Sequence, residues 1–340
     1  MLAAQTTLQN AQKVKEFLLK NNLLNSDYLL VREFDFIYFP IRTKATIPNA
    51  KVVNTKFSFS EKKKPLTLDE LLKNKLTKNE LAMLPRSQEV IGKILILEIP
   101  EQLAPKEKII AQAFLSLNKS IETVVRKSAI HKGIYRTRKV KILAGKKTKE
   151  TIHHENGIQL RLHLEKTYFS AKSAGERLRI AKQIKKNEEV LVMFSGAAPY
   201  PLVLAKQSPA KHITGIELNP LAHSYAAENI ILNKMDNKIT LLNGDVHQVL
   251  PTLKKKFDRI AMPLPKTGEE FIDIALTKSK PNTTIHFYAF LNEKEMKPYE
   301  QRIKEICAKA KHPIKVQNVV TCGQFSPGTF RTCFDLKVLK

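Results

Sequence analysis

An α/β architecture is expected here: a doubly wound, mostly parallel sheet in the C-terminal half, preceded by two smaller α+β domains. Three observations predict it. From about residue 166 strand-like and helix-like runs alternate, as a parallel sheet with crossover helices requires. Upstream, the runs are short and mixed in order, and they are set apart by turn signals. The charged stretch EKKKP at 61–65 reads as a linker, and the boundaries fall at 1–62, 63–165 and 166–340.

In chain order, Val14, Phe17, Leu18 and Leu19 lie at helical spacing, so the N-terminal twenty residues predict a first helix. They lack the basic n-region and apolar block of a signal peptide. DYLLVREFDFIYFPI (27–41) holds two short strands, and VVNTKFSFS (52–60) follows. In the middle segment, helical patterns over 66–84 break at Pro85. A strand over 93–100 and a helix over 105–127 come next, then strands over 139–145 and 158–165. The last is reached through an Asn156-Gly157 hairpin turn. The C-terminal strands begin with EVLVMF, HITGIEL, KITLLNGD, FDRIAMPL and TTIHFYAF, separated by helices. A closing pair, IKVQNVVT and FRTCFDLKVL, departs from a plain dinucleotide fold and suits a class I methyltransferase sheet.

The formal charge of +26 carries the most information about partners. Self-repulsion on that scale is relieved by a polyanion. The opposing reading is a lysine-rich chain with Lys on every solvated face. Residues 121–150 hold ten Lys or Arg against only Glu122 and Glu150, with Tyr135 among them to stack on a base, so nucleic acid is the expected partner. No apolar run approaches the roughly 20 residues of a membrane span. Cys307, Cys322 and Cys333 are too few and scattered for a disulfide framework or a metal site, which suits a reducing cytosol and leaves one disulfide open. Cys322 and Cys333 fall on consecutive strands as candidate cross-strand neighbours. His153 and His154 are adjacent and point apart, so they are read as solvent or phosphate contacts, and no metal site is assigned.

The stretch VLVMFSGAAPYPLVLAKQ (190–207) has the place of a nucleotide-binding turn but keeps only Gly196. A pyrophosphate needs close backbone approach and a free helix N-terminus, hence more glycines. S-adenosylmethionine has no phosphate and needs a shaped turn plus an acid on its ribose. Glu217, ending the second strand, is that acid, and Asp245, ending the third, is placed to meet the adenine amino group. Asp245 equally reads as a cap on the helix after it. The order of loop and acids favours adenosylmethionine over NAD.

These residues add up to a resemblance over nearly the whole chain to the archaeal and eukaryotic tRNA (guanine-37-N1) methyltransferases. SDYLLVREFDFIYFPI resembles their N-terminal domain. LPRSQEVIGKILILEIPE and HKGIYRTRKVKILAGKKTKETIHHENG resemble their middle domain. TYFSAKSAGERLRIAKQI, VLVMFSGAAPYPL, GIELNPLAHSYAAENIILNK, LLNGDV and FDRIAMPLPKTGEEFID are similar to their catalytic domain, in order. The resemblance implies an N-terminal domain on the tRNA elbow, the other two on the anticodon stem-loop, and methyl transfer to N1 of guanosine 37. It implies Glu176 as general base and Arg136 as the residue stabilising the guanine. Arg177, Glu217 and Asp245 would line the cofactor site, with Phe194, Gly196, Leu218, Val246 and Pro263 around them. Tyr135, Arg138, Tyr168, Lys172 and Lys266 are the expected RNA contacts, and the enzyme is expected to act as a monomer. A divalent ion is left open. The chain departs from the family at Met193 (more often Asp), Ala198 (Gly), Pro263 (Asn) and Ala171-Lys172 (Pro-Arg).

The chemistry agrees with those roles. Guanine N1 carries a proton at neutral pH, so a base must take it while negative charge grows on O6. A buried carboxylate suits the first task and a guanidinium the second. The plainer reading makes Glu176 half of an ion pair on an amphipathic helix, and Tyr168 and Phe169 packing at a domain junction. Two further functions stay open. One is a wyosine-pathway tRNA transferase using the same cofactor; the other is a tRNA-binding protein that has lost catalysis.

Overall fold

The computed structural model describes residues 1–62, 66–132 and 135–340, and the chain forms two compact units, Met1–Thr67 and Leu68–Lys340. Lys63–Pro65 of the expected linker and Gly133-Ile134 of the basic segment lie outside the described residues.

The first unit contains β1 (Leu2–Thr7), α1 (Ala11–Lys20), β2 (Val31–Glu33), β3 (Phe36–Pro40) and β4 (Lys51–Asn54), with sheet order β2-β3-β1-β4. The expected helix from the N-terminus is corrected: Leu2–Thr7 is a central strand, paired on both sides. Ala3 and Ala4 are fully buried there, and this pairing overrides their helix propensity. The helix starts only at Ala11 and seats Val14 and Leu18 in the core with Phe39 and Ile41.

The second unit opens with α2 (Leu68–Leu72) and α3 (Lys78–Ala82), then β5 (Gln88–Ile91), β6 (Ile94–Leu97), α4 (Glu107–Leu117), β7 (Thr123–Lys132) and β8 (Thr137–Gly145). A Thr77/Glu80 capping box starts α3. The strands form one sheet in the order β5-β6-β7-β8. The helix expected over 105–127 stops at Leu117, where the Asn118 amide donates to Phe114 O at 2.8 Å. Beyond it Thr123, Val124 and Val125 are β-branched and fully buried, so the chain continues as β7. A hairpin of β9 (Glu150–Glu155) and β10 (Ile158–His163) follows. It turns through Asn156 and Gly157 at φ 45° and 75°, as a two-residue primed turn requires.

The remaining elements are α5 (Ala174–Ala181), β11 (Glu189–Met193), α6 (Pro199–Gln207), β12 (His212–Glu217), α7 (Pro220–Leu232), β13 (Ile239–Asn243), α8 (Val246–Thr252), β14 (Phe257–Met262), α9 (Ile272–Thr277), β15 (Ser279–Leu291), α10 (Glu293–Lys309), β16 (Ile314–Ser326) and β17 (Thr329–Val338). Their seven-stranded sheet runs β13-β12-β11-β14-β15-β17-β16. Strands β11 to β15 pair in parallel, and β17 inserts antiparallel between β15 and β16. This is the class I methyltransferase sheet. Its order reverses between β11 and β14, which opens a crevice at the carboxyl ends of those strands. Alternate residues of β11 divide between two cores: Val190 and Val192 on one face, Leu191 and Met193 on the other. No helix among the described residues is long and apolar enough to cross a membrane.

The cysteines are free thiols; Val320 sits directly opposite Cys333, and Cys322 is its diagonal cross-strand neighbour, with its thiol beside the Cys333 backbone.

Helix α7 completes an edge of the hairpin. Asn229 donates to Arg161 O at 3.0 Å and accepts from Arg161 N at 2.6 Å. One turn later Asn233 repeats both bonds with Gln159. Two amides at i and i+4 thus satisfy strand residues two apart, in place of a third strand. Asn229 is fully buried and also donates to Ala197 O in the loop after β11. Asn229→Leu leaves these backbone groups unpaired, so it is expected to cost about 1–3 kcal/mol, read as a lower denaturant midpoint at constant slope.

Candidate active site

After Met193 the chain must leave β11 and enter α6 within five residues. It does so through left-handed Phe194, Gly196 and Ala198, at φ 61°, 57° and 67°. Ala198 stands where the resembling family has glycine, and the left-handed backbone explains that preference. The methyl costs roughly 1 kcal/mol there. Besides the Asn229 bond to Ala197 O, Ser195 N donates to Ile216 O at 2.8 Å, Ala198 N to Ser195 O at 3.0 Å, and Gly196 N to Glu217 Oε2 at 2.6 Å. Asn219 N donates to Glu217 Oε1 at 2.8 Å. Leu218 N also donates to this carboxylate, and since a carboxylate has about four lone-pair sites it keeps capacity for a ligand hydroxyl. Burial raises the Glu217 pKa, and the backbone amides oppose that rise.

Asp245 does cap α8, accepting from His247 N at 2.7 Å through Oδ1. Beyond it, Phe271 stacks on His247 at 4.8 Å and meets Phe194 edge-on at 4.8 Å, forming an aromatic wall across the strand ends. Leu218 is exposed and Val246 is buried. Met193 is fully buried in the core that also holds Leu191, Ile216 and Val246.

At the switch point lies a narrow cleft of about 60 Å³, whose walls include Tyr168, Ser195, Tyr200, Pro263, Tyr288 and Arg331. A larger hollow of about 300 Å³ lies between α2 and α4, lined by Leu71, Lys75, Lys108 and Ile109. It shares no residue with the site.

Glu176 in the first turn of α5 is buried one hydroxyl away from the cleft: Tyr288 donates to its Oε1 at 2.6 Å, and Tyr200 donates to Tyr288 at 3.3 Å. Arg179, one turn on, grips both Glu176 oxygens at 2.7 and 2.8 Å. The expected surface ion pair therefore exists, but it is inside. Arg179 also binds both oxygens of Asp335, at 2.7 and 3.1 Å. Asp335 meets His286 Nδ1 at 2.6 Å, and His286 Nε2 meets Arg259 at 2.7 Å. Arg259 ends the chain on Glu188 at 2.8 Å. His286, Cys333 and Asp335 come together closely enough to suggest a metal site, but an arginine on either side satisfies the cluster.

Arg136, also left-handed at φ 50°, is half-buried and reaches from the four-stranded sheet to Thr267 Oγ1 at 3.4 Å. Burial lowers its pKa, and nearby Tyr168 opposes the shift. Arg177 lines the cleft, but its guanidinium is committed to Glu155 by two bonds of 2.5 Å. It also lies over Phe169 and Tyr200 at 5.2 and 5.7 Å.

Among the expected RNA contacts, Tyr135, Tyr168, Lys172 and Lys266 are exposed. Arg138 is corrected: it is buried, paired to Glu89 at 2.7 Å and donating to Phe169 O at 3.1 Å, so no charge is left for a phosphate. The basic segment is less free than its composition suggests. Arg126, Lys127, Arg138, Lys141, Lys146 and Lys149 all have carboxylate partners. His153 is corrected too: it accepts from Gly92 N at 3.1 Å and packs on Phe169, rather than facing solvent. Sequence reasoning missed Arg179, Tyr200, Tyr288, Arg331 and Asp335. Only Arg179 carried a local signal, its i+3 spacing from Glu176.

Comparison with known proteins gives three domain matches: TRM5/TYW2 methyltransferase domain over residues 151–317, TYW2 N-terminal domain over 68–148, and tRNA methyltransferase 5 N-terminal domain over 5–48. The chain is 32% identical to the tRNA (guanine(37)-N(1))-methyltransferase Trm5b of Pyrococcus abyssi, across 99% of both chains. It is 32% identical to a tRNA(Phe) (4-demethylwyosine(37)-C(7)) aminocarboxypropyltransferase of Pyrococcus horikoshii, across 80% of this chain and 96% of that one. The solved complex of aTrm5 with tRNALeu superposes with a TM-score of 0.71 at 28% identity, covering 99% of this chain and 100% of the other.

The buried chain predicts a pH dependence of stability. Burial pushes Asp335 up, but His286 and Arg179 outweigh it and hold the carboxyl well below its usual range. Burial lowers His286, and Asp335 opposes this. Both groups bind protons less readily folded than unfolded, so both contribute stability that is lost on acidification. Denaturant midpoints are expected to fall below about pH 6.5 through His286 and again below about pH 4 through Asp335. Asp335→Asn, destabilised at pH 7, should close on wild type as the pH falls below about 4.

Proposed function

The chain belongs to the TRM5/TYW2 methyltransferase family, and we propose that it transfers a methyl group from S-adenosylmethionine to N1 of guanosine 37 in tRNA. One observation carries the assignment of roles: a buried carboxylate, Glu176, stands one tyrosine hydroxyl from the cleft at the switch point.

The residues present fit the cofactor. Glu217 keeps acceptor capacity beside the left-handed loop, and Ser195 Oγ is buried there with no protein partner. Glu217 would hold the ribose hydroxyls, and the second oxygen of Asp245 the adenine amino group. Phe194 and Gly196 would shape the turn. When bound, S-adenosylmethionine supplies an electrophilic methyl group.

Glu176 takes the N1 proton of the target guanine, and Arg136 stabilises the charge that grows on O6. Tyr288 and Arg179 fix the orientation of Glu176. As Glu176 becomes neutral, Asp335 keeps the Arg179 charge matched, so proton transfer leaves no buried cation unpaired. Residues 1–62 are assigned to the tRNA elbow, and residues 63–165 with 166–340 to the anticodon stem-loop. Tyr135, Tyr168, Lys172 and Lys266 act as RNA contacts.

A second reading, transfer to a wyosine intermediate, is favoured by the TYW2 N-terminal match over 68–148 and by the aminocarboxypropyltransferase relative. Attack by a carbon of an already modified base has no N1 proton to remove, so the placement of Glu176 supports N1 methylation.

The test uses unmodified tRNA transcripts with G or A at nucleotide 37, labelled S-adenosylmethionine, and mass spectrometry of the nucleosides. 1-Methylguanosine is expected only with G37. Glu176→Ala should lower the rate by about 10²–10⁴-fold with cofactor affinity retained. Full activity in Glu176→Ala would remove it as the base. Binding of tRNA without methyl transfer would favour the lapsed enzyme.

A further inference from the structure

The C-terminal hairpin ends beside the cleft because of strand direction. β15 runs parallel to β14, so Leu291 lies at the carboxyl edge of the sheet. β17 is antiparallel to β15, which brings Phe330 opposite Leu291 and Arg331 opposite Phe290 at that same edge. The β16–β17 tip therefore stands where a ligand of this sheet enters. β16 also packs against Ala171–Ser173, the short turn that bears Lys172.

The tip carries an unusual group of side chains. Register irregularities on either side of Gln324 turn Phe325 outward, leaving it 63% exposed. One face of its ring stacks on Phe290 at 4.0 Å and 26°, and the exposed part of the side chain lies away from that contact. The Arg331 guanidinium lies over Phe290 at 5.9 Å, lines the cleft and donates to Ser173 Oγ. Its Nε is buried with no protein partner. From residue 314 to 334 there is no Asp or Glu, so no carboxylate of this segment opposes a polyanion.

We propose that Phe325, backed by Phe290 and flanked by Arg331, is a stacking shelf for a nucleobase next to the target nucleotide. This inference rests on the RNA-modifying reading above. A base in the cleft has left its stack, so its neighbour loses a stacking partner. The exposed part of the Phe325 side chain replaces that partner. Stacking of this kind tolerates any base, since every base has a π-face. Arg331 adds a cation between shelf and cleft, suited to the linking phosphate.

The test measures binding of the full chain to unmodified G37 transcript, and to the same transcript with an abasic site at nucleotide 36 or at 38. Phe325→Ala is expected to weaken tRNA binding by about 5- to 100-fold, with adenosylmethionine affinity and thermal midpoint unchanged. Phe325→Trp should restore binding. One abasic position should weaken binding to wild type to a similar degree and cost Phe325→Ala nothing more. Binding of Phe325→Ala within twofold of wild type, or losses that add in full, overturns the shelf. Wild-type nucleoside analysis in parallel keeps the two readings apart. A binding defect in Phe325→Ala without any 1-methylguanosine from wild type supports the shelf and rejects the proposed reaction. Methylation by wild type with no binding defect in Phe325→Ala does the reverse.

Discussion

Arg179 sits between two buried carboxylates, and much of the catalytic domain is arranged to keep it matched. An unpaired charge in that position would be strongly destabilising, so Glu176 and Asp335 must both arrive. They come from α5 and β17, far apart in sequence. His286 of β15 and Arg259 of β14 extend the chain to Glu188, just before β11. Polar contacts thus cross the sheet at right angles to its strands. A slip of β17 by one residue would turn Asp335 to the opposite face, so this chain fixes register as well as charge.

The same arrangement separates two demands on one carboxylate. Glu176, the proposed base, is held by three donors, from Arg179 and Tyr288, and is well oriented by them. Orientation alone would strand Arg179 once a proton arrived. The second carboxylate removes that penalty, and this is a reason for a doubled acid that a single ion pair would not supply. The loop after β11 follows similar logic. Its left-handed residues are tolerated because Glu217, Ile216 and Asn229 tie its backbone from three sides.

Local signals made the catalytic sheet legible. Alternating runs gave its strands and Asn156-Gly157 gave the hairpin. What failed depended on partners distant in the chain. Leu2–Thr7 looks helical until β3 and β4 flank it. The helix over 105–127 reads as continuous unless β6 is known to recruit 123–126 as a parallel neighbour. Arg138 and the lysines around it look like a free cationic patch, because Glu89, Glu98, Glu107 and Glu165 are supplied from elsewhere. Tyr200, Tyr288, Asp335 and Arg331 are unremarkable in their own segments, and only strand order gathers them around Glu176 and the cleft.

The pairing of Arg177 with Glu155 bears on how such a protein can evolve. One partner belongs to the β9–β10 hairpin and the other to the helix that carries Glu176, and Arg138 ties the preceding sheet to Phe169. A recombination event that exchanged everything after residue 165 would cut both attachments and leave buried guanidinium and carboxylate groups stranded. Met1–Thr67 keeps its own core, and exchanging it would cut neither attachment.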